Sequence, residues 1–237
     1  MNEGARIHEE QRARILANVP GWYRPSVHLA IPTLIGLGIM AAALSRLHGV
    51  TALELLAVPA TLFFAFGFEW RAHKMVLHRR QPLLGVIYER HELNHHVVFT
   101  YDDMPMREGR ELWLILMPAY AIVLVFALVA PLALGVAWLA STNAALLLVA
   151  TAMVFFLSYE WLHMAYHLPA KGLVGGSAIL ARMREHHRRH HDPRLMKRWN
   201  FNVTVPVFDL LCRTSWSPAR EAARPPRAHA AQASRGA

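Results

Sequence analysis

One cysteine, Cys212, is the only thiol in 237 residues. That excludes a disulfide framework and any thiolate cluster within one chain, so a metal site here would have to be built from nitrogen and oxygen. Charge is also scarce. Only 17% of the residues are Asp, Glu, Lys or Arg, against 54% hydrophobic, which is too apolar for an ordinary soluble domain and too polar to lie wholly in lipid. A membrane protein with sizeable aqueous parts fits best, and no separate soluble domain is expected. Nothing here resembles a cleaved signal peptide either, because a polar, charged stretch precedes the first apolar run.

What is present begins with four long apolar runs: Ser26 to Ser45, Thr51 to Phe68, Leu112 to Trp138 and Asn143 to Tyr159. A bilayer core of about 30 Å takes roughly 20 helical residues, and each run approaches or exceeds that length. The first two are parted only by Arg46 to Val50, and the last two by Leu139 to Thr142, so each pair reads as a transmembrane hairpin. Of the 25 Lys and Arg residues the two short connections hold one, Arg46. Positive charge therefore assigns the N-terminal, central and C-terminal segments to the cytoplasm. This also accounts for the net charge of +9 without nucleic acid as a partner. The expected organisation is a cytoplasmic N-terminal segment (1–25), a membrane domain (26–217) and a disordered tail (218–237), with both ends flexible.

Eleven of the 15 histidines fall in two of the cytoplasmic stretches, Glu69 to His96 and Glu160 to His191, each starting where a hairpin's second helix ends. The stretches resemble each other. Phe68-Glu69-Trp70-Arg71-Ala72-His73 matches Tyr159-Glu160-Trp161-Leu162-His163, and Glu89-Arg90-His91-Glu92-Leu93-Asn94-His95-His96 echoes Arg184-Glu185-His186-His187-Arg188-Arg189-His190-His191. On a helix, residues three and four apart share a face, so His163 with His167, and His187 with His190 and His191, can each aim at one point. His91, His95 and His96 give a looser version. His73 and His78, five apart, need a slight unwinding or two separate metals. Ten histidines exceed what one ion can take, whereas two metals with four or five nitrogen ligands each match the number. Imidazole suits Fe, Zn, Cu and Ni alike. Glu69 and Glu160 precede their first histidines by four and three residues, a spacing that lets each carboxylate accept from a ligating imidazole; salt bridges to nearby arginines are the competing use. Arg188 and Arg189 either keep the imidazoles neutral or attract anionic headgroups. The segment holding Asp102, Asp103, Arg107 and Arg110 reads as an interfacial loop. His8, His28, His48 and His229 read as ordinary surface or core histidines.

The four boxes, HX4H (His73, His78), HX3HH (His91, His95, His96), HX3H (His163, His167) and HX2HH (His187, His190, His191), resemble those of the integral-membrane fatty acid hydroxylase superfamily, which also holds sterol hydroxylases and desaturases. Glu69 to His78, Tyr159 to His167 and Glu185 to His191 are most similar to its fatty acid 2-hydroxylase branch. The similarity runs from about Glu69 to Thr214, ending in Asn200-Phe201-Asn202-Val203-Thr204 and Phe208-Asp209-Leu210-Leu211-Cys212-Arg213-Thr214. Arg213 stands where that family has glycine, Glu160 where Asp is usual, and the second box carries three residues between its histidines where the branch usually has two.

The resemblance implies an all-α integral-membrane fold: four transmembrane helices in two hairpins, under a cytoplasmic helical cap that holds a histidine-rich dimetal site. It implies two Fe ions, with Zn able to replace them on purification, and O2 as co-substrate for inserting oxygen into an unactivated C–H bond of a lipid. With no haem-binding, flavin or cysteine-cluster motif in the chain, a separate cytochrome, ferredoxin or reductase must supply electrons. The family's register for the fourth box leaves His186 at the edge, facing solvent, a headgroup or a partner behind the ligands. Two further readings stay open: a desaturase using the same centre, and a histidine-rich metal transporter or sensor. Against the last, Glu54 and His28 are almost the only ligand-type residues in the spans, and an ion path needs intramembrane polar groups.

Overall fold

The computed structural model describes residues 3–118, 120–171 and 174–223. Among these, every regular element is helical. The long helices are α1 (Glu3–Ala17), α2 (Pro25–Leu44), α3 (Ala57–Ala72), α4 (Ala121–Leu139), α5 (Thr142–Tyr166) and α6 (Ala178–His190), followed by the short α7 (Val207–Leu211). Four stretches are long and apolar enough to cross a membrane: Pro25–Leu44, Glu54–Leu77, Ala121–Leu139 and Thr142–Tyr166.

Local chemistry sets the ends. Pro25 opens α2, where its missing N–H costs nothing. Ser141 caps α5 by accepting the Ala144 amide at 3.1 Å. The same hydroxyl donates to Glu54 at 2.6 Å, which ties the two short connections together at one end of the helices. α5 is the central element, with α2, α3 and α4 all packed on it. Gly36 permits a close approach of α2 to α5: a Cβ there would come within 3.1 Å of the Leu157 side chain.

The third apolar run is not one helix. Leu112–Ile115 forms a single buried turn, Leu116 turns extended (φ −76°, ψ 148°), and α4 begins only at Ala121. Pro118 explains the break, since it removes an amide donor and biases Met117 away from helical geometry. The freed Met117 groups are satisfied elsewhere. Its amide donates to the Glu160 carboxylate at 3.2 Å, and its carbonyl accepts from His28 Nε2 at 2.8 Å, with Tyr23 O–H on Nδ1. Leu112, Leu114, Ile115 and Leu116 pack with Val98 and Phe99 in a buried apolar cluster.

The N-terminal stretch, expected to be flexible, is instead the docked helix α1. Its Arg12 is buried and bonds Glu111 through both terminal carboxylate oxygens, at 2.7 and 2.8 Å. Arg12 also reaches the Val98 carbonyl and Asp103, each at 3.1 Å, while Arg107 pairs with Glu9 and Asp103. The segment read as an interfacial loop is thus the receiving surface for α1. In the tail expected to be disordered, Pro218–Ala222 forms one helical turn capped by Ser217, and 224–237, with His229, lie outside the described residues.

Candidate metal centre

The first box explains its own spacing. α3 runs on into His73–Leu77, a π-helical turn in which the His78 amide bonds the His73 carbonyl at 3.2 Å. This i→i+5 closure brings residues five apart onto one face. Glu89–His95 is π-helical too, with the His96 amide on the His91 carbonyl, so offsets of four and five serve there as three and four serve on an α-helix. His163 and His167 close α5, and His187 and His190 lie in the last turns of α6, both α-helical. The unwinding that was one of two options for His73 and His78 is therefore present, and it occurs in the second box as well.

All ten box histidines are buried. One nitrogen from each of His73, His78, His91, His96 and His190 falls within 4.8 Å of the others, and His95, His163, His167 and His187 form a second such group. His191 adjoins the second group, its Nε2 lying 3.2 Å from His95 Nε2 and 3.1 Å from His187 Nε2. Each half of the sequence thus lines its own group and lends one imidazole to the other: His95 crosses one way and His190 the other.

Tautomers identify what these groups can hold. His73 Nδ1 donates to the Phe201 carbonyl at 2.5 Å, His95 to Leu114 at 3.1 Å, His167 to Met104 at 3.0 Å, His190 to Trp199 at 3.1 Å and His191 to Phe99 at 2.5 Å. His78 Nδ1 donates to the Glu92 carboxylate. With Nδ1 protonated, a neutral imidazole keeps a bare lone pair on Nε2. Those lone pairs point at one another: His78 Nε2 is 2.8 Å from His190 Nε2, and His91 Nε2 lies 3.0, 3.3 and 3.1 Å from the Nε2 atoms of His73, His78 and His96. A proton on His91 could serve only one of its three neighbours. His167 Nε2 and both nitrogens of His163 are buried with no hydrogen-bond partner, and unpartnered buried polar atoms are costly. A cation in each group removes both difficulties, so the residues fit a pair of metal ions.

Burial first, and neighbouring imidazoles second, push His91, His95, His96, His187 and His191 well below the ordinary histidine range. His78, His167 and His190 go the same way. The ligand-competent neutral form is therefore favoured by desolvation. Arg188 and Arg189 are engaged otherwise: both pair with Glu185, at 2.8 and 2.7 Å, and lie over the Tyr101 and Trp216 rings.

Two expectations about the surroundings are corrected. Glu69 does not accept from an imidazole; its carboxylate takes the Val203 amide at 2.6 Å, the Thr204 amide at 2.9 Å, the Thr204 hydroxyl at 2.7 Å and the Asn202 side chain at 2.8 Å. Glu160 takes the Met117 amide. Each glutamate instead holds the segment that follows the other half's last box, and Glu69 so places the Phe201 carbonyl behind His73. His186 lies outside both groups and bonds Asp209 at 3.2 Å. Among the described residues the carboxylate that reaches a box histidine, Glu92, sits inside the second box itself, and only the fold brings it to His78. A further group, His8, Glu9 and Asp103, is half-buried, and its carboxylates are already taken by Arg12 and Arg107.

No protein-family model matches this sequence, and no curated protein does. Among solved structures the chain is similar to full-length scs7p, in which only the hydroxylase domain is visible. The match has a TM-score of 0.55 at 18% identity and covers 82% of this chain and 67% of that one. The two chains share a fold. At that identity the likeness carries architecture, and function has to be argued from the site.

Proposed function

We propose that this protein is an integral-membrane hydroxylase that holds two iron ions and hydroxylates an aliphatic C–H bond of a lipid chain, within the fatty acid hydroxylase superfamily and nearest its 2-hydroxylase branch. The observation that carries the reading is the pair of buried imidazole groups whose ring nitrogens converge, with six of the ten Nδ1 atoms tied outward. The ligands are His73, His78, His91, His96 and His190 for one ion, and His95, His163, His167, His187 and His191 for the other. When bound, the iron pair supplies O2-dependent C–H oxidation, and zinc can take its place on purification. The chain's own part is to hold ten imidazoles neutral and oriented, to exclude water from them by burial, and to keep the carbonyl belt in place through Glu69 and Glu160. Electrons come from a separate cytochrome, ferredoxin or reductase.

In this reading the four apolar helices cross the membrane as two hairpins, and both termini and the histidine groups face the cytoplasm. A transporter fits less well, because Glu54 and His28 in the spans are already satisfied, Glu54 by Ser141 and Thr51 and His28 by Tyr23 and Met117. The test pairs elemental analysis of active protein with mass spectrometry of lipids from cells with and without it. Two metals per chain and products heavier by one oxygen are expected. One metal or fewer sinks the dinuclear site, and products lighter by two hydrogens turn the assignment to a desaturase.

A further inference from the structure

We infer that Glu92 makes the two metal positions chemically unequal: it is a positioning residue that strengthens His78 as a donor at the position His78 shares with His73, His91, His96 and His190. The inference rests on the metal-centre reading above. Six box imidazoles donate from Nδ1 to an acceptor behind them. For five of the six that acceptor is a neutral backbone carbonyl, of Phe99, Met104, Leu114, Trp199 or Phe201. Behind His78 alone it is a carboxylate. Glu92 is buried, and its other oxygen accepts from Lys197 Nζ at 2.6 Å, a side chain 37% exposed. No carboxylate hydrogen-bonds an imidazole of the group around His95 among the described residues.

The difference is one of charge. A carboxylate draws the Nδ1 proton more strongly than an amide carbonyl does, leaves more electron density on Nε2, and holds the ring at a fixed angle. The position served by His78 is therefore the stronger site and favours the more highly charged metal. Lys197 works against this by neutralising Glu92 from the surface side. A structural salt bridge would look similar in outline, but it would affect the whole protein rather than one ion of two.

Protein purified in detergent is stripped of metal, reloaded without oxygen with 57Fe(II), and challenged with a graded chelator while iron per chain and the Mössbauer spectrum are read. The natural sequence shows two ferrous components, one released before the other. Glu92→Gln keeps the shape and an acceptor but drops the charge. It weakens the tighter component about 10- to 100-fold and shifts its spectrum, leaving the other component in place. Lys197→Met moves the same component towards tighter retention. The inference is overturned if Glu92→Gln affects both components equally, affects neither, or lowers thermal stability alone. Should Glu92→Gln fail to fold, Lys197→Met decides, and two unchanged components overturn it. Two indistinguishable irons in the natural sequence defeat the inequality only, whereas a chain that binds no iron defeats the metal-centre reading itself.

Discussion

Arg12 and Glu111 are separated by most of the first half of the chain, yet they form a buried, two-pronged ion pair, with side chains 3% and 1% exposed. Arg12 adds the Val98 carbonyl and Asp103, and Glu111 adds the Arg107 amide at 2.8 Å. Removing Arg12 leaves Glu111 buried with no cationic partner, and removing Glu111 leaves Arg12 only the partly exposed Asp103, so Arg12→Met and Glu111→Met each cost about 3–5 kcal/mol, the second at the low end. Replacing both, as Arg12→Met with Glu111→Met, removes the stranded charge but leaves the Arg107 amide and Val98 carbonyl unpaired, about 1–3 kcal/mol for a buried polar group. The double variant is therefore much less damaged than the singles combined, a coupling of about 2–3 kcal/mol. Denaturant unfolding in detergent measures this, and limited proteolysis of α1 shows whether the helix is released. Metal is lost too in the single variants, because Val98 leads into Phe99, whose carbonyl holds His191. Single variants that cost under about 1 kcal/mol, as exposed pairs do, or costs that simply add, would refute the argument.

In the fourth box, His187→Ala, His190→Ala and His191→Ala each lose metal and hydroxylation together, while His186→Ala, whose ring faces Asp209, keeps its metal; iron content beside product yield for the four variants decides the register. Metal-free protein loses stability in acid: eight box histidines outside the spans are held below their ordinary value. The unfolded chain therefore takes up protons that the folded one refuses as pH falls below about 6.5, and each such group costs about 1.4 kcal/mol per pH unit. Thermal unfolding followed from pH 8 to pH 5 measures it, and a flat profile contradicts the burial argument. Single cysteines labelled in intact cells should react from outside near Arg46 and Ser141, and only from the cytoplasm at Arg79 and Arg189; histidine boxes found on opposite sides of the membrane would break the shared centre.

Much of this architecture was legible because its signals are local. A run of twenty apolar residues, or histidines at three, four and five, can be read without knowing what packs against them. For the five-residue gap between His73 and His78 the sequence left a slight unwinding or two separate metals, and the π-helical turn at His73–Leu77 is the first of these. What escaped was set by partners distant in sequence. Glu69 and Glu160 stood at the right offset from a histidine, but backbone amides left bare beyond the facing half's boxes compete better for their carboxylates. Arg12 looked like one charge among many in a polar N-terminal stretch, and nothing near it announces Glu111. Pro118 interrupts the third apolar run, but hydropathy smooths over a single residue, so the buried turn at Leu112–Ile115 and the long helix α4 merged into one segment.

The exchange of His95 and His190 bears on how such a chain could have arisen. Half of it, on its own, leaves its group one imidazole short, with that imidazole projecting outward. Two such halves meeting about a twofold axis would complete both groups at once, each plugging the other's gap, and the two would be identical. Joining them in one chain removes that constraint. Within one chain each position can accept changes that its twin does not share, while the Glu-Trp and His-His signatures recur in both halves.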